Sequence, residues 1–228
     1  MLPAIFFQRY YCTLRRYYCQ FYFLLHLHPL HAHIIDKVPL TDAEFELLQA
    51  SFSLRRLKKN QVLLEPGKTC TADHFVLSGC LRQYYLDYSG KEHVVQFAFA
   101  NWWISDWSSI LSKQPSFYFI EALEPTEVLQ VEQEQLQRLF KQLPVFETYF
   151  RMIFQQAYAA QQRHILWMQK PAVDRYRYFS SIYGYFETRL PQAQIASYLG
   201  LTRESFSRAK KALREEQQNR AGTEATQG

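Results

Sequence analysis

Apolar positions change their period three times along the chain, and each change predicts a different kind of element. In TDAEFELLQASF, residues 41–52, Thr41 with Glu44 three positions later forms a capping box, and Phe45, Leu47, Leu48 and Phe52 supply the apolar side of a short helix. From residue 53 short apolar runs take over: QVLL at 61–64, HFVL at 74–77, LRQYYL at 81–86, HVVQFAF at 93–99, FYFIEAL at 117–123 and EVLQV at 127–131. Pro66-Gly67, Gly79, Ser89-Gly90 and Glu124-Pro125-Thr126 punctuate them. Six short strands broken by turn residues predict a small antiparallel barrel or jelly roll.

After Pro144 the period lengthens. FETYFRMIFQQAYAAQQRHILWMQ contains neither Gly nor Pro, and Phe146, Phe150, Ile153, Ala157, Ala160, His164 and Met168 recur at steps of three and four. One long helix is expected, with more apolar stripe than its own domain covers. We read it as a subunit-pairing helix, with packing inside the chain as the alternative. The last periodic stretch is LPQAQIASYLGLTRESFSRAKKALR at 190–214. Ile195, Ala196 and Leu199 form the buried side of a first helix and Gly200 permits a sharp turn. Thr202 caps a second helix, whose Phe206 and Ala209 face back onto the first. This is a helix-turn-helix pattern with a second helix suited to the major groove. Beyond Arg214 the periodicity fades, so EEQQNRAGTEATQG is expected to fray, and no wing hairpin is visible.

Composition narrows the class. With 228 residues, 48% of them hydrophobic, a mainly disordered chain is excluded, and no apolar run approaches the roughly 18–20 residues needed to cross a bilayer. The net charge of +5 is mild, but its placement is not even. Residues 41–170 carry thirteen basic against fourteen acidic side chains, whereas residues 171–228 carry nine against six. A nucleic-acid surface is therefore expected at the C-terminal end, where residues 200–214 hold five basic groups and the single acid Glu204. Cys12, Cys19, Cys70 and Cys80 are too few and too scattered for a disulfide scaffold, so cytoplasmic residence is expected.

The first thirty-odd residues are dense in aromatics and end in His26, His28, His31 and His33. No secretory cleavage site follows the interrupted apolar stretch. The histidines and Cys12 and Cys19 have ligand chemistry but no recognised metal-binding spacing, and Pro29 splits the histidines into pairs. The favoured reading is an aromatic extension that packs loosely, anchors peripherally or reflects a misassigned start.

No catalytic constellation appears: there is no Gly-x-Ser-x-Gly elbow, phosphate-binding Gly-rich loop or His-Glu-x-x-His. A metal-carrying jelly-roll enzyme would need ligands beyond His74 and His93, and no cofactor is expected. Trp102, Trp103 and Trp107 around Ile104-Ser105-Asp106 either line a pocket or pack in the core. In the second helix of the reading motif, Arg203 and Arg208 are suited to guanine O6 and N7, and Glu204 to cytosine N4. Ser207 shares their face, while Lys210, Lys211 and Arg214 are expected at phosphates.

Roll, connecting helix and helix-turn-helix in this order make the chain similar to the Crp/Fnr family of transcriptional regulators. The resemblance spans about residues 33–214, through LLEPGKTCTADHFVLSGCLRQYYLDYSGKEHVVQFAF, WWISDW, IEALEPTEVL and QIASYLGLTRESFSRAKKAL. It implies an α+β chain: an N-terminal cyclic-nucleotide-binding-like β-roll (a double-stranded β-helix or jelly roll), a long dimerisation helix and a C-terminal helix-turn-helix. The implied boundaries are an extension at 1–32, a sensor domain at 33–144, a dimerisation helix at 145–170, a DNA-binding domain at 171–214 and a tail at 215–228. The implied activity is sequence-specific binding of palindromic duplex DNA by a homodimer, with base reading carried over to Arg203, Glu204 and Arg208. In members that bind cyclic AMP, a Gly-Glu pair holds the ribose and an Arg followed by Ser or Thr holds the phosphate. The matching places here are Ser105-Asp106 and Ser116-Phe117, so no arginine meets a cyclic phosphate and no cyclic-AMP response is expected. An unknown small-molecule effector near Trp103, Ser105, Asp106, Trp107, Ser116 and Phe117, and RNA polymerase, are further candidate partners. The closely spaced cysteines of iron-sulfur members are missing, and the absent wing resembles a branch of short regulators found in Bacteroidetes. The alternative function is a non-enzymatic sensor or interaction protein that keeps the fold without specific DNA binding.

Overall fold

The computed structural model describes residues 29–226, with side chains to residue 219. Cys12, Cys19, His26 and His28 lie outside the described residues. The chain forms two compact units, one of residues up to Leu81 with Ala98–Met152, the other of Arg82–Phe97 with residues from Ile153 onward.

The first unit begins with a helix at 29–35 (α1) and continues into α2, Asp42–Ser51, whose capping box forms as expected from Thr41 and Glu44. Hydrogen bonds from Thr41 hold the Glu44 carboxyl below its usual range. The strands are β1 (Ser53–Leu57), β2 (Val62–Leu64), β3 (Ala72–Ser78), β4 (Cys80–Leu86), β5 (Glu92–Phe99), β6 (Trp103–Ile104), β7 (Phe119–Ala122) and β8 (Thr126–Glu132). They make two four-stranded sheets in the orders β1-β8-β3-β6 and β2-β7-β4-β5. The six expected strands are all present. The two not anticipated are β6, which is only two residues long, and β1, whose SLRRL carries adjacent arginines that hide its alternation.

Antiparallel pairing of β3 with β8 sets Phe75 opposite Leu129 and Val76 opposite Val128. Because side chains alternate across a strand, these two pairs serve opposite faces. Val76 and Val128 join Leu57, Leu64, Cys70, Leu81, Ala98, Ile104, Ile120 and Ala122 in one apolar core cluster. Phe75 instead packs against Trp103, itself in contact with Phe52 and Phe150. β3 is thereby buried on both faces, which is why Phe75, Val76 and Leu77 follow one another without a polar residue between them. Gly79 turns from β3 to β4 at φ +90°, and a Cβ there would lie 2.6 Å from the Pro125 carbonyl oxygen, so no side chain fits.

Helix α3 (Trp107–Ser112) follows β6, and α4 (Gln133–Gln142) follows β8. α5 runs from Pro144 to Met168, as the apolar stripe predicts. Only Phe146, Tyr149 and Phe150, near its start, are buried. Beyond them Phe154, Tyr158, Ile165 and Leu166 are exposed, together with Ala157 and Ala160 of the expected stripe.

The second unit contains α6 (Ala172–Tyr183), a 3-10 helix at Gly184–Arg189, α7 (Gln192–Tyr198) and α8 (Arg203–Thr226). Tyr176, Phe179, Tyr183, Ile195, Leu199, Phe206, Ala209 and Leu213 form its interior. The residues after Arg214 do not fray as expected: α8 continues to Thr226. Their Glu, Gln, Arg and Ala content favours helix without apolar burial, and Arg177 anchors Glu216 at 2.5 Å. No helix of the described residues is long and apolar enough to cross a membrane.

Candidate nucleic-acid interface

The turn between α7 and α8 is built by local chemistry. Gly200 has φ +61°, its N–H donates to the Ser197 carbonyl at 3.0 Å, and the Leu201 N–H donates to the Ala196 carbonyl at 2.9 Å. This paired arrangement satisfies the carbonyls left over at a helix end and requires the left-handed conformation that glycine adopts freely. Two residues later the Thr202 hydroxyl accepts from the Ser205 N–H at 3.1 Å, capping α8. The chain thus stops one helix and starts the next within a few residues.

Burial sorts the side chains of α8 into two sets. Phe206, Ala209 and Leu213 are buried, and Phe206 meets Tyr176 edge-on with ring centroids 5.3 Å apart. Thr202, Arg203, Glu204, Ser207, Arg208, Lys211 and Arg214 are exposed. The exposed positions recur at helical spacing from the N-terminus, so they form one continuous polar face. Hydrogen bonds from its own backbone N–H and the Thr202 hydroxyl, with Arg203 and Arg208 close by, hold the Glu204 carboxyl below its usual range. It is a pure acceptor at neutral pH, the state that pairs with an amino group.

Lys210 departs from the expected phosphate set. Its ammonium donates to Glu187 in the 3-10 helix at 2.6 Å, with both side chains mostly buried, and the Tyr176 hydroxyl donates to the same carboxylate at 2.9 Å. It also sits 5.9 Å from the ring centroids of Tyr176 and Phe206. A lysine engaged in this way ties α8 to the segment before α7. Sequence spacing put Lys210 beside Lys211, but successive helical residues point about 100° apart, and only Lys211 faces outward.

The unit also takes in a hairpin from the strand region. The Ser197 hydroxyl on α7 donates to the Glu92 carbonyl at 2.8 Å and accepts from the Val94 N–H at 3.0 Å. Phe97 packs against Tyr183 and Tyr198, and Arg82 holds Glu92 with both guanidinium nitrogens. At the hairpin turn Asp87 accepts from His93 at 2.7 Å and from Ser89. Nothing in the local pattern around Ser197 marked it as a partner for a strand 103 positions away.

The residues expected around an effector have structural uses. Asp106 is buried and accepts from the N–H groups of Ser108 and Ser109 at 3.0 and 3.2 Å, capping α3. The Ser105 hydroxyl donates to Asp73, which also accepts from Gln133 and Trp107; burial pushes the Asp73 carboxyl up to about 6. Trp103 donates to the Tyr149 hydroxyl at 2.9 Å inside the aromatic cluster. That hydroxyl lies 2.7 Å from Nδ1 of His33, whose pKa burial lowers to about 4. The imidazole is thus neutral, and a neutral ring with an unprotonated Nδ1 accepts a hydrogen bond from the tyrosine hydroxyl. Ser116 accepts from the Tyr118 N–H at 2.9 Å, and Phe117 is 82% exposed. His74 meets Gln130 at 3.3 Å and His93 meets Asp87, and among the described residues no three His, Cys, Asp or Glu side chains gather as a metal site.

Residues 54–143 match the cyclic nucleotide-binding domain model, and residues 163–222 match the Crp-like helix-turn-helix domain model. The chain combines a cyclic nucleotide-binding-like fold with a Crp-like helix-turn-helix fold. Among solved structures it is similar to the catabolite activator protein of Thermus thermophilus at 19% identity and a TM-score of 0.51, covering 81% of this chain and 87% of that one. It is also similar to a CooA mutant from Carboxydothermus hydrogenoformans, at 17% identity and a TM-score of 0.62, covering 80% and 83%. The global regulator CLP of Xanthomonas campestris, described as responsive to c-di-GMP, matches at 16% identity and a TM-score of 0.63, covering 77% and 93%. No curated protein matches the sequence.

Proposed function

We propose that the protein is a homodimeric, sequence-specific DNA-binding transcriptional regulator that works without cyclic AMP. The carrying observation is the exposed polar face of α8, set by the Gly200 turn and the Thr202 cap, with Arg203, Glu204 and Arg208 at the end that enters a major groove. Arg203 and Arg208 supply bidentate donors for guanine and ionised Glu204 an acceptor for cytosine; Lys211 and Arg214 lie toward the phosphates. Lys210 is left out of this set because it pairs with Glu187.

Two-fold pairing is supported by α5, where no residue beyond Phe150 is buried although Phe154, Tyr158, Ile165 and Leu166 are apolar. A second copy would cover them. Independence from cyclic AMP is supported by Ser116-Phe117, where the matching place offers no arginine to a cyclic phosphate and Phe117 stands where a hydroxyl is needed. The arrangement of the sheets as a closed roll, and kinship with short regulators lacking a wing, belong to the same reading.

Selection from a random duplex library by the full-length protein, without added ligand and at a stated near-physiological salt concentration, tests it. Enrichment of a two-fold-symmetric sequence is expected, unchanged by cyclic AMP. No enriched sequence from folded, dimeric protein would overturn it in favour of an interaction protein that keeps the fold.

A further inference from the structure

Between the pairing helix and the reading helix stands an arginine that does not belong to the exposed face of α8. Arg175, in the first turn of α6, is half-buried. Its Nε donates to the Lys170 carbonyl at 2.8 Å and its Nη1 donates to the Leu199 carbonyl at 3.0 Å. The first carbonyl lies two residues beyond Met168, the last residue of α5, and the second is the cap of α7, one residue before Gly200. The cap carbonyl of Leu199 lacks its intrahelical donor and carries the negative end of the α7 dipole, so a guanidinium is well matched to it, and the same side chain reaches the Lys170 carbonyl in the α5–α6 link.

The same place is packed as well as hydrogen-bonded. A Cβ on Gly200 would come within 2.8 Å of Met168 Cε and 3.5 Å of Arg175 Nη1, so the reading turn lies against the last residue of α5. The backbone carrying Arg175 is itself anchored, because its N–H and that of Asp174 both donate to the Pro171 carbonyl at 3.0 Å. One planar side chain with donors fixed in a fork therefore joins the end of α5, the start of α6 and the end of α7. A lysine, with a single compact charge on a flexible stem, cannot hold two such carbonyls in a fixed relation.

We infer that Arg175 is the positioning residue for half-site spacing: it fixes the direction in which each reading helix is carried from the paired α5 helices. The inference rests on the proposed dimeric DNA binding and adds to it the residue that makes the spacing strict. On duplex DNA one base pair moves a half-site by about 3.4 Å and about a tenth of a turn. A rigid link cannot follow that shift, and a loosened link can.

The test measures affinities of the wild-type, Arg175→Gln and Arg175→Lys dimers for the selected operator, for the same operator with one base pair added or removed between its halves, and for a single half-site. For Arg175→Gln the ratio of affinities between correct and altered spacing should fall by about fivefold to tenfold, with half-site affinity unchanged. Arg175→Lys, which keeps the charge and stem, should relax spacing in the same direction and carries the readout if the Gln variant does not fold. Unaltered spacing discrimination in a folded variant, or an equal loss on every DNA including the half-site, would overturn the inference and leave Arg175 a structural residue. A wild-type protein that selects no two-fold site removes the functional reading itself, and this inference with it.

Discussion

The interior of the N-terminal unit and the outer face of α8 handle polar groups in opposite ways. In the first, Asp73, Asp106, Ser105 and Tyr149 are paired internally with named donors and acceptors, and none is exposed. On the second, Arg203, Glu204, Ser207, Arg208, Lys211 and Arg214 are all exposed along one helix side, with only surface contacts such as Arg208 to the Ser205 hydroxyl at 3.2 Å and Lys211 to Glu215 at 3.8 Å. Paired and buried, a polar group specifies how its own chain packs; left hydrated, it keeps its donors for another molecule. In the unit that matches a cyclic nucleotide-binding domain, Ser105 and Asp106 are thus used by the fold, while α8 keeps its charge outward.

Substitutions that exchange these roles should separate stability from DNA binding. The largest effect is expected for Asp73→Ala, which leaves the donors of Ser105, Gln133 and Trp107 without their shared acceptor. A loss of about 2–4 kcal/mol in denaturant unfolding is expected, with operator affinity per folded dimer unchanged. A melting curve like that of the wild type would show that the network adds nothing. Next, Arg203→Ala and Arg208→Ala should each remove about 1–3 kcal/mol of discrimination for the preferred sequence while shifting unfolding by less than about 0.5 kcal/mol. Equal losses on specific and random DNA would break their assignment to bases.

The neighbours Lys210 and Lys211 give a sharper contrast. Lys211→Ala should weaken all duplexes alike and lower the salt slope by about one unit. Lys210→Ala should leave that slope alone and cost about 1–2 kcal/mol of stability by stranding the mostly buried Glu187. If the two exchanged phenotypes, the outward and inward assignments on α8 would be wrong.

The smallest effect is a pH trend. Burial lowers His33 and His74 from 6.5 to about 4, so the unfolded chain binds two protons that the fold does not between those values. Asp73, raised from 3.8 to about 6, opposes them with one proton bound only in the fold. The two histidines outweigh the one carboxyl, so stability should rise as pH goes from about 4 to about 6.5. Replacing His74 by Gln should flatten the rise in unfolding midpoints measured across that window, and an unchanged rise would exclude His74 as a source.

How much could be read in advance depended on the range of the interactions involved. The capping box at Thr41 and Glu44, the Gly200 turn and the Thr202 cap join residues a few positions apart, and their residue types point to the geometry before any folding is considered. Helices α4 and α6 stand out less from the sequence, although Leu136, Leu139 and Leu143, and Tyr176, Phe179 and Tyr183, carry helical spacing. Both follow stronger neighbouring signals, the strands before α4 and the long α5 stripe before α6. β1 escaped because its arginines face outward on an exposed strand, where Arg56 pairs with Glu127 at 2.7 Å.

Sequence alone determined the order of the main elements, the buried side of α8 and the turn and cap before it, because these follow from local periodicity, turn chemistry and residue type. Tertiary structure decided that Asp106 caps its own helix, that Lys210 belongs to Glu187, that Ser197 holds a strand pair and that Arg175 joins two helix ends. Each of those is a choice of partner. A polar side chain carries its donors and acceptors in any conformation, but what satisfies them depends on which distant backbone or charge the fold brings within hydrogen-bond reach.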